Sequence, residues 1–83
     1  MFQSSALVLR HHVTYRLYEV DDHFVCTTYC WLDDTCKSFN FNGALASCEL
    51  NNATAEEFPN HLHDRPGYVM YTSYPVLVTT YTP

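Results

Sequence analysis

Four cysteines constrain what this chain can fold into more than any other feature of the sequence. They are Cys26, Cys30, Cys36 and Cys48. The first two lie in residues 21–33, a stretch that predicts a short helix, and residues four apart share one face of a helix. Cys36 and Cys48 begin and end a stretch that is typical of a β-hairpin. The spacing therefore predicts a helix fastened across a sheet by two disulfide bonds.

Four cysteines allow three pairings, and sequence alone does not decide among them. A bridge between Cys26 and Cys30 would join consecutive turns of one helix and would restrain little. The nested pairing, Cys26 with Cys48 and Cys30 with Cys36, would tie the helix to both strands, and we favour it. Loop-closure entropy assigns about 2 kcal/mol to the short loop and about 3 kcal/mol to the long one.

Free or zinc-binding thiols in an intracellular protein are the alternative interpretation. Structural zinc sites usually contain two closely spaced cysteine pairs, and only Cys26 and Cys30 have that spacing here. Histidines could supply the remaining ligands, and the chain has five of them: His11, His12, His23, His61 and His63. Because the second cysteine pair lacks the expected spacing, we regard zinc as the weaker hypothesis.

Length and composition indicate one small, folded, β-rich domain. The chain has 83 residues, including seven tyrosines, five phenylalanines and one tryptophan, which favours cross-strand aromatic pairs over disorder. The net charge of −5 argues against nucleic acid as a partner. The sequence contains no apolar run that approaches membrane-spanning length.

The periodicity of apolar residues predicts an α+β fold with its helix capped by Asp21 or Asp22. A bend near His11 and His12 divides the first β-like segment. We expect residues 1–72 to form the domain, with a core at about 9–71, and residues 73–83 to be an edge strand or a linker tail. Strands are predicted within 6–20, 36–42 and 47–51 and, after a turn at 65–67, at 67–72.

The phase of the aromatic residues after Cys36 makes a further prediction. Phe39 and Phe41 alternate with Ser38 and Asn40, so in a regular strand that includes Cys36 they face away from the cysteine. Either both faces of the sheet are covered, or a β-bulge resets the phase after Cys36, and we expect covered faces.

The order of cysteines and aromatics resembles the PAN/apple domain family, in which a Cys-x-x-x-Cys helix precedes Cys-x-Ser-Phe-x-aromatic, Cys-x-Leu and an aromatic closing strand. The resemblance spans about residues 9–71. The chain lacks the further cysteine pair of apple domains proper, so it is similar to the two-disulfide PAN form of invertebrate extracellular proteins. The matching positions are Cys26, Cys30, Cys36, Ser38, Phe39, Phe41, Cys48, Leu50 and residues 68–71.

The resemblance implies a twisted antiparallel sheet crossed by one short α-helix, with the nested disulfide pairing. It also implies a non-catalytic module, without a cofactor, that binds a protein or a carbohydrate ligand within a larger secreted, matrix or cell-surface protein. Residues 1–9 lack the pattern of a signal peptide. We therefore expect the chain to be one domain of a longer extracellular protein with flanking domains, or an incomplete gene model.

Three sets of residues are candidates for function. Asn52 begins an Asn-x-Thr sequon and is a candidate glycosylation site. Phe24 and Trp31 share the helix face opposite the one that carries Val25, Cys26, Tyr29 and Cys30; they could anchor a ligand, although we favour their being covered by the tail or the N-terminal segment. Arg10, His12 and Arg16 share a parity and could form a small basic stripe for sulfated glycans, but we favour a solvated strand face.

Four histidines, His11, His12, His61 and His63, could make the domain sensitive to pH, but the sequence does not show that they are close together. An enzymatic function finds little support, because all four thiols are expected in bridges and no phosphate-binding glycine loop is present. Three hypotheses follow: an extracellular recognition module, a ligand-free structural spacer in a matrix protein, and a small zinc-binding intracellular domain.

Overall fold

A computed structural model describes residues 2–72 of the chain, with side chains described from residue 7 onward. In this part of the chain one α-helix accompanies a single five-stranded antiparallel sheet, which confirms the α+β prediction. A short 3₁₀ turn at Pro59–His61 precedes the last strand. The elements are β1 (Phe2–Leu9), β2 (Val13–Tyr18), α1 (His23–Leu32), β3 (Ser38–Asn42), β4 (Ser47–Asn51) and β5 (Leu62–Thr72).

The sheet places strands that are neighbours in the chain at opposite edges. The strand order is β1-β5-β3-β4-β2, so β1 and β2 do not pair with each other. The predicted bend lies between them, where His11 has a φ of 74°, a left-handed conformation that is uncommon for a residue other than glycine. The bend therefore sends the chain from one edge of the sheet to the other.

The last strand is longer than predicted. It begins at Leu62, because Leu62 pairs with Leu9 at the end of β1. The turn predicted at 65–67 lies inside β5, at a shift in its pairing with β1, and Gly67 there has a φ of 92°. The Pro-Gly signal therefore marks an irregularity within the strand and not its start.

The helix begins and ends at aspartates. The Asp22 carboxylate accepts hydrogen bonds from the backbone N–H groups of Phe24 at 2.8 Å and Val25 at 3.3 Å, which makes Asp22 the N-cap. At the other end, the N–H of Asp33 donates to the carbonyl of Cys30. Asp21 and Asp22 were both predicted as possible N-caps, and Asp22 is the N-cap in the structure.

Two disulfides fasten α1 to the sheet. Cys26 is bonded to Cys48 on β4, and Cys30 is bonded to Cys36 just before β3, which is the nested arrangement. Cys26 and Cys48 have no solvent exposure and lie in the main core cluster. The core residues that surround them are Val20, Phe39, Leu50 and Tyr71.

The phase predicted for the aromatic residues of β3 was wrong. The strand begins at Ser38, so Cys36 precedes it and does not share its alternation. Phe39 and Phe41 consequently lie on the helix side with the cysteines, where the Phe39 ring stacks on Tyr71 at a centroid distance of 4.9 Å. The expectation that both faces are covered holds, because the opposite face buries a row of polar side chains: Ser38, Asn40, Asn42 and Asn51.

Asn40 is the centre of this polar row and has no solvent exposure. Its side chain accepts a hydrogen bond from the N–H of Leu9 at 3.2 Å and donates to the carbonyl of Leu9 at 3.2 Å. A side chain of the central strand thereby satisfies both backbone groups of Leu9 at the end of β1. Next to it, the Ser38 hydroxyl donates to the carbonyl of Ala53 and accepts from Asn51 Nδ2.

A non-reducing peptide map of the chain, expressed through a secretory pathway, is expected to contain the Cys26–Cys48 and Cys30–Cys36 peptides. Replacing Cys26 and Cys48 with alanine should lower the free energy of unfolding by about 3 kcal/mol, and replacing Cys30 and Cys36 by about 2 kcal/mol, because the first bridge closes the longer loop. Urea titration measures both values. Four free thiols in the map would contradict the fold.

Replacing Asn40 with alanine is expected to lower the free energy of unfolding by about 2 to 3 kcal/mol, because the backbone groups of Leu9 lose their partner in a buried site. Asn60→Ala, at an exposed position in the 3₁₀ turn, is the matched control and should change stability by less than about 0.5 kcal/mol. Chemical denaturation of the two variants makes the comparison. Equal stability of both would show that the Asn40 contacts contribute nothing.

Candidate functional site

The outward face of α1 is apolar, which is unusual for a helix surface in contact with water. Trp31 is 82% exposed and Phe24 is 68% exposed. Together with three further exposed residues and Thr28 they cover about 160° of the helix circumference at 100° per residue. No Asp, Glu, Lys or Arg lies within the helix to interrupt them. We call this surface the helix face; its apolar members are Phe24, Val25, Tyr29, Trp31 and Leu32.

The structure bears on two expectations about this surface. Phe24 and Trp31 were expected to be covered by the tail or the N-terminal segment; both are exposed, and covering by the tail stays a prediction because residues 73–83 lie outside the described residues. Val25 and Tyr29 were placed on the buried face with the cysteines, but both are exposed. The helix rests on the sheet along the narrow stripe that the disulfides fix, so among its residues only the cysteines are fully buried.

The ring of Phe24 contacts His23, a residue that the sequence did not indicate as part of this surface. The His23 ring stacks on the Tyr71 ring at a centroid distance of 4.9 Å and lies 4.2 Å from the Phe24 ring. His23 therefore links the exposed aromatic to the core of the sheet. This contact limits the freedom of the Phe24 ring although the ring itself remains exposed.

Acidic residues lie at both ends of the helix face. Asp21 and Asp22 precede the helix, and Asp33 and Asp34 follow it. The Thr35 hydroxyl donates to the Asp33 carboxylate at 2.7 Å and the Thr35 N–H donates at 2.9 Å. These hydrogen bonds lower the pKa of Asp33 and keep its carboxylate charged at neutral pH. The apolar surface is therefore bounded by negative charge.

A second candidate surface lies on the other side of the sheet. A cavity of about 240 Å³ opens there, next to Ser47 and Glu49, which alternate with the helix-facing Cys48. Arg16 Nε donates to Glu49 Oε2 at 3.2 Å in its wall. We call it the sheet pocket; its lining residues are Arg16, Tyr18, Leu45, Ser47, Cys48, Glu49 and Tyr68.

Sequence reasoning missed most of the sheet pocket. Tyr18 and Tyr68 come from β2 and β5, fifty positions apart, and only the strand order brings them to one cavity. The guanidinium of Arg65 lies 4.8 Å from the Tyr68 ring centre, which is a cation–π contact to one of the lining residues. The abundance of tyrosine was visible in the sequence, but their meeting place was not.

The predicted basic stripe does not form. Arg10 and His12 lie in the β1–β2 connection, whereas Arg16 lies on β2 and is paired with Glu49. The left-handed conformation of His11 breaks the alternation on which the prediction depended. Arg10 contacts His63 instead, with its Nη1 at 3.4 Å from the ring Nδ1. The three residues therefore belong to two separate places.

The four histidines considered for pH sensitivity are brought together. His12 Nε2 lies 2.8 Å from His61 Nδ1, and the His11 and His61 ring centres are 5.2 Å apart. Partial burial, followed by the nearby His61 and His11, lowers the pKa of His12; burial, followed by Arg10, lowers that of His63. The pairing of β1 with β5 creates this cluster, and no local sequence signal could have shown it.

The cysteine chemistry limits other functions. All four thiols are in disulfides, so none is a nucleophile or a metal ligand, which removes the donors that the zinc hypothesis required. Within the described residues there is no group of three His, Cys, Asp or Glu side chains placed to hold a metal ion. The described part of the chain also has no helix of the length and hydropathy needed to cross a membrane.

Comparison with known proteins bears on the family to which this architecture belongs. A search of curated proteins found no match. A family model described as the PAN domain matches residues 2–74 of the 83-residue chain, which includes every element of the fold. The nested disulfides and the helix across an antiparallel sheet agree with this match. The chain belongs to the PAN domain family.

Proposed function

We propose that this domain is a non-catalytic recognition module of an extracellular protein and that it binds a protein partner through the helix face. PAN domains are modules that mediate protein or carbohydrate interactions and are generally non-catalytic. The observation that carries the choice of surface is the exposure of Phe24 and Trp31 on a helix without charged residues. Large apolar side chains in such a patch are typical of interaction sites.

The two aromatics can supply enough binding energy to anchor a partner. A buried aromatic side chain removes about 150–250 Å² from water. At about 25 cal/mol per Å² the pair supplies several kcal/mol before the costs of association. Tryptophan is also enriched among the residues that dominate binding energy. The support of Phe24 by His23 reduces the ordering cost, because the ring is already restrained.

The charges around the helix face indicate the partner's chemistry. Asp21 and Asp22 lie at one end and Asp33 and Asp34 at the other, and no lysine or arginine lies in residues 21–34. A complementary surface is an apolar groove that accepts a helix and carries lysine or arginine side chains at its rim. We therefore infer a protein partner with a basic rim.

The sheet pocket supports carbohydrate as a second candidate ligand. Tyr18 and Tyr68 offer aromatic rings and hydroxyl groups, and Ser47 and the Arg16–Glu49 pair offer polar groups within one cavity. Aromatic walls with a few converging polar groups are typical of small-ligand sites. The pocket shares no residue with the helix face, so variants can separate the two candidates.

The extracellular location is inferred from the disulfides and the domain size. Small domains often need crosslinks to supplement a limited core, and such crosslinks persist in oxidising compartments. Two bridges within a 23-residue stretch, from Cys26 to Cys48, fit that pattern. We propose that the domain is part of a larger secreted or cell-surface protein.

Replacing Phe24 and Trp31 with serine is expected to abolish saturable protein binding while the melting temperature stays within a few degrees of the parent. Both rings are exposed, so their removal leaves the core intact. The probe is a panel of purified secreted proteins and ectodomains on one array and of purified glycans on another. Tyr18→Ser in the sheet pocket is the matched control and should retain protein binding.

Three other results would decide against the proposal. Glycan binding that Tyr18→Ser removes would assign function to the sheet pocket. Protein binding that persists in the Phe24→Ser/Trp31→Ser variant would show that the helix face is not the site. No saturable binding on either array would favour a structural spacer.

Asn52 is expected to carry an N-linked glycan when the chain is made in a secretory pathway. Its side chain is exposed in the turn after β4, although Thr54 of the same sequon is buried. Intact mass before and after amidase treatment measures the glycan, and Asn52→Gln should remove the difference. A single unmodified mass in the parent chain would show that the sequon is not used.

A further inference from the structure

The histidine cluster joins two segments that are far apart in sequence. One is the β1–β2 connection with Arg10, His11 and His12; the other runs from Phe58 into the start of β5 and contains His61 and His63. His12 stacks on the Phe58 ring at 4.2 Å, and the Arg10 N–H donates to the carbonyl of His61 at 3.0 Å. The two segments therefore contact each other through imidazole rings and a backbone hydrogen bond, next to the pairing of Leu9 with Leu62 in the sheet.

Two of these contacts depend on protonation. Between His12 Nε2 and His61 Nδ1, one nitrogen must donate and the other must accept. If both rings are protonated, two N–H groups face each other at 2.8 Å. The Arg10 guanidinium has no acceptor, so its contact with His63 requires an unprotonated Nδ1. Full protonation of the cluster removes both hydrogen bonds and places positive charges side by side.

The charged groups around the cluster do not offset this repulsion. Arg10 is a permanent cation within it. Glu57 and Asp64 are the carboxylates that act on His12 and His63 respectively, but Glu57 is already bound to Lys37 Nζ at 3.1 Å. The Lys37 hydrogen bond lowers the pKa of Glu57, and the positive charge of Lys37 offsets part of the attraction between Glu57 and His12. Cations therefore outnumber free carboxylates when the histidines are protonated.

We propose that this cluster is a proton-operated latch, which holds the β1–β2 connection against the segment leading into β5 at neutral pH and releases it at mildly acidic pH. Its release frees the β1–β2 connection, in which the Arg10 N–H donates to the His61 carbonyl and the His12 carbonyl accepts from the Asn52 N–H. The disulfides hold α1 on the sheet throughout, so the opening is local.

The direction of the pH dependence follows from linkage. The pKa values of His12 and His63 are lowered in the folded state from the ordinary value of 6.5. The open state then binds protons more readily than the closed state. The closed latch is fully stable above the ordinary value and loses stability as the pH falls below it. Carboxylates whose pKa values are lowered, such as Glu57, act at lower pH.

Amide hydrogen exchange on the intact domain, with EDTA present, tests the latch. After correction for intrinsic rates, protection of the Arg10 and Asn52 amides should fall about tenfold between about pH 7.5 and about pH 5, because the open state binds protons more readily. The Val20 amide, which donates to Ala46 away from the cluster, is the internal reference and should change little. Equal protection of Arg10 and Asn52 at both pH values would overturn the proposal.

Substitutions identify the groups responsible. In His12→Gln/His61→Gln the pH dependence at Arg10 and Asn52 should largely disappear, whereas His23→Gln, in the histidine that stacks on Tyr71 under the helix, should retain it. If the double variant does not fold, NMR titration of the parent rings replaces it, with midpoints for His12 and His63 expected below 6.5. Midpoints at or above that value, or unchanged pH dependence in the double variant, would refute the latch.

Discussion

The bond between Cys26 and Cys48 lies without solvent exposure where α1 meets β4, and the main core forms around it. A ten-residue helix of this composition is too short to be stable alone in water, and its sheet-facing stripe is narrow. The crosslink replaces the broad apolar contact that a helix of a larger domain would make. Because the helix is held covalently, its remaining surface does not have to face the core.

The two sides of the helix therefore meet different requirements. Cys26 and Cys30 supply the attachment, and the residues on the far side are left to water. In a helix held only by packing, the helix could rotate so that Phe24 and Trp31, and not the side of Cys26 and Cys30, pack against the sheet. Here the disulfides fix which side faces the sheet. An exposed apolar surface can therefore persist on a small domain while the cysteine side of the helix stays against the sheet.

Sequence reasoning succeeded where the determinants are local. Cysteine spacing predicted the helix and the residues that attach it, and Asp22 was one of two candidate caps. The assignment of Phe39 to the face away from the cysteines was wrong, because β3 begins at Ser38 and Cys36 is therefore not part of its alternation. The histidine cluster and the sheet pocket could not be predicted from the sequence, because the strand order that brings their residues together is a property of the whole sheet.

The pairing of β1 with β5 also brings the beginning of the first strand next to the end of the last strand. Phe2 is the register partner of Thr72, so the two backbones lie about 5 Å apart at one edge of the sheet. A module whose entry and exit points coincide adds almost no length to a polypeptide in which it is inserted. A domain inserted in this way would lie to the side of the polypeptide path, and its removal would change the distance between the flanking segments very little.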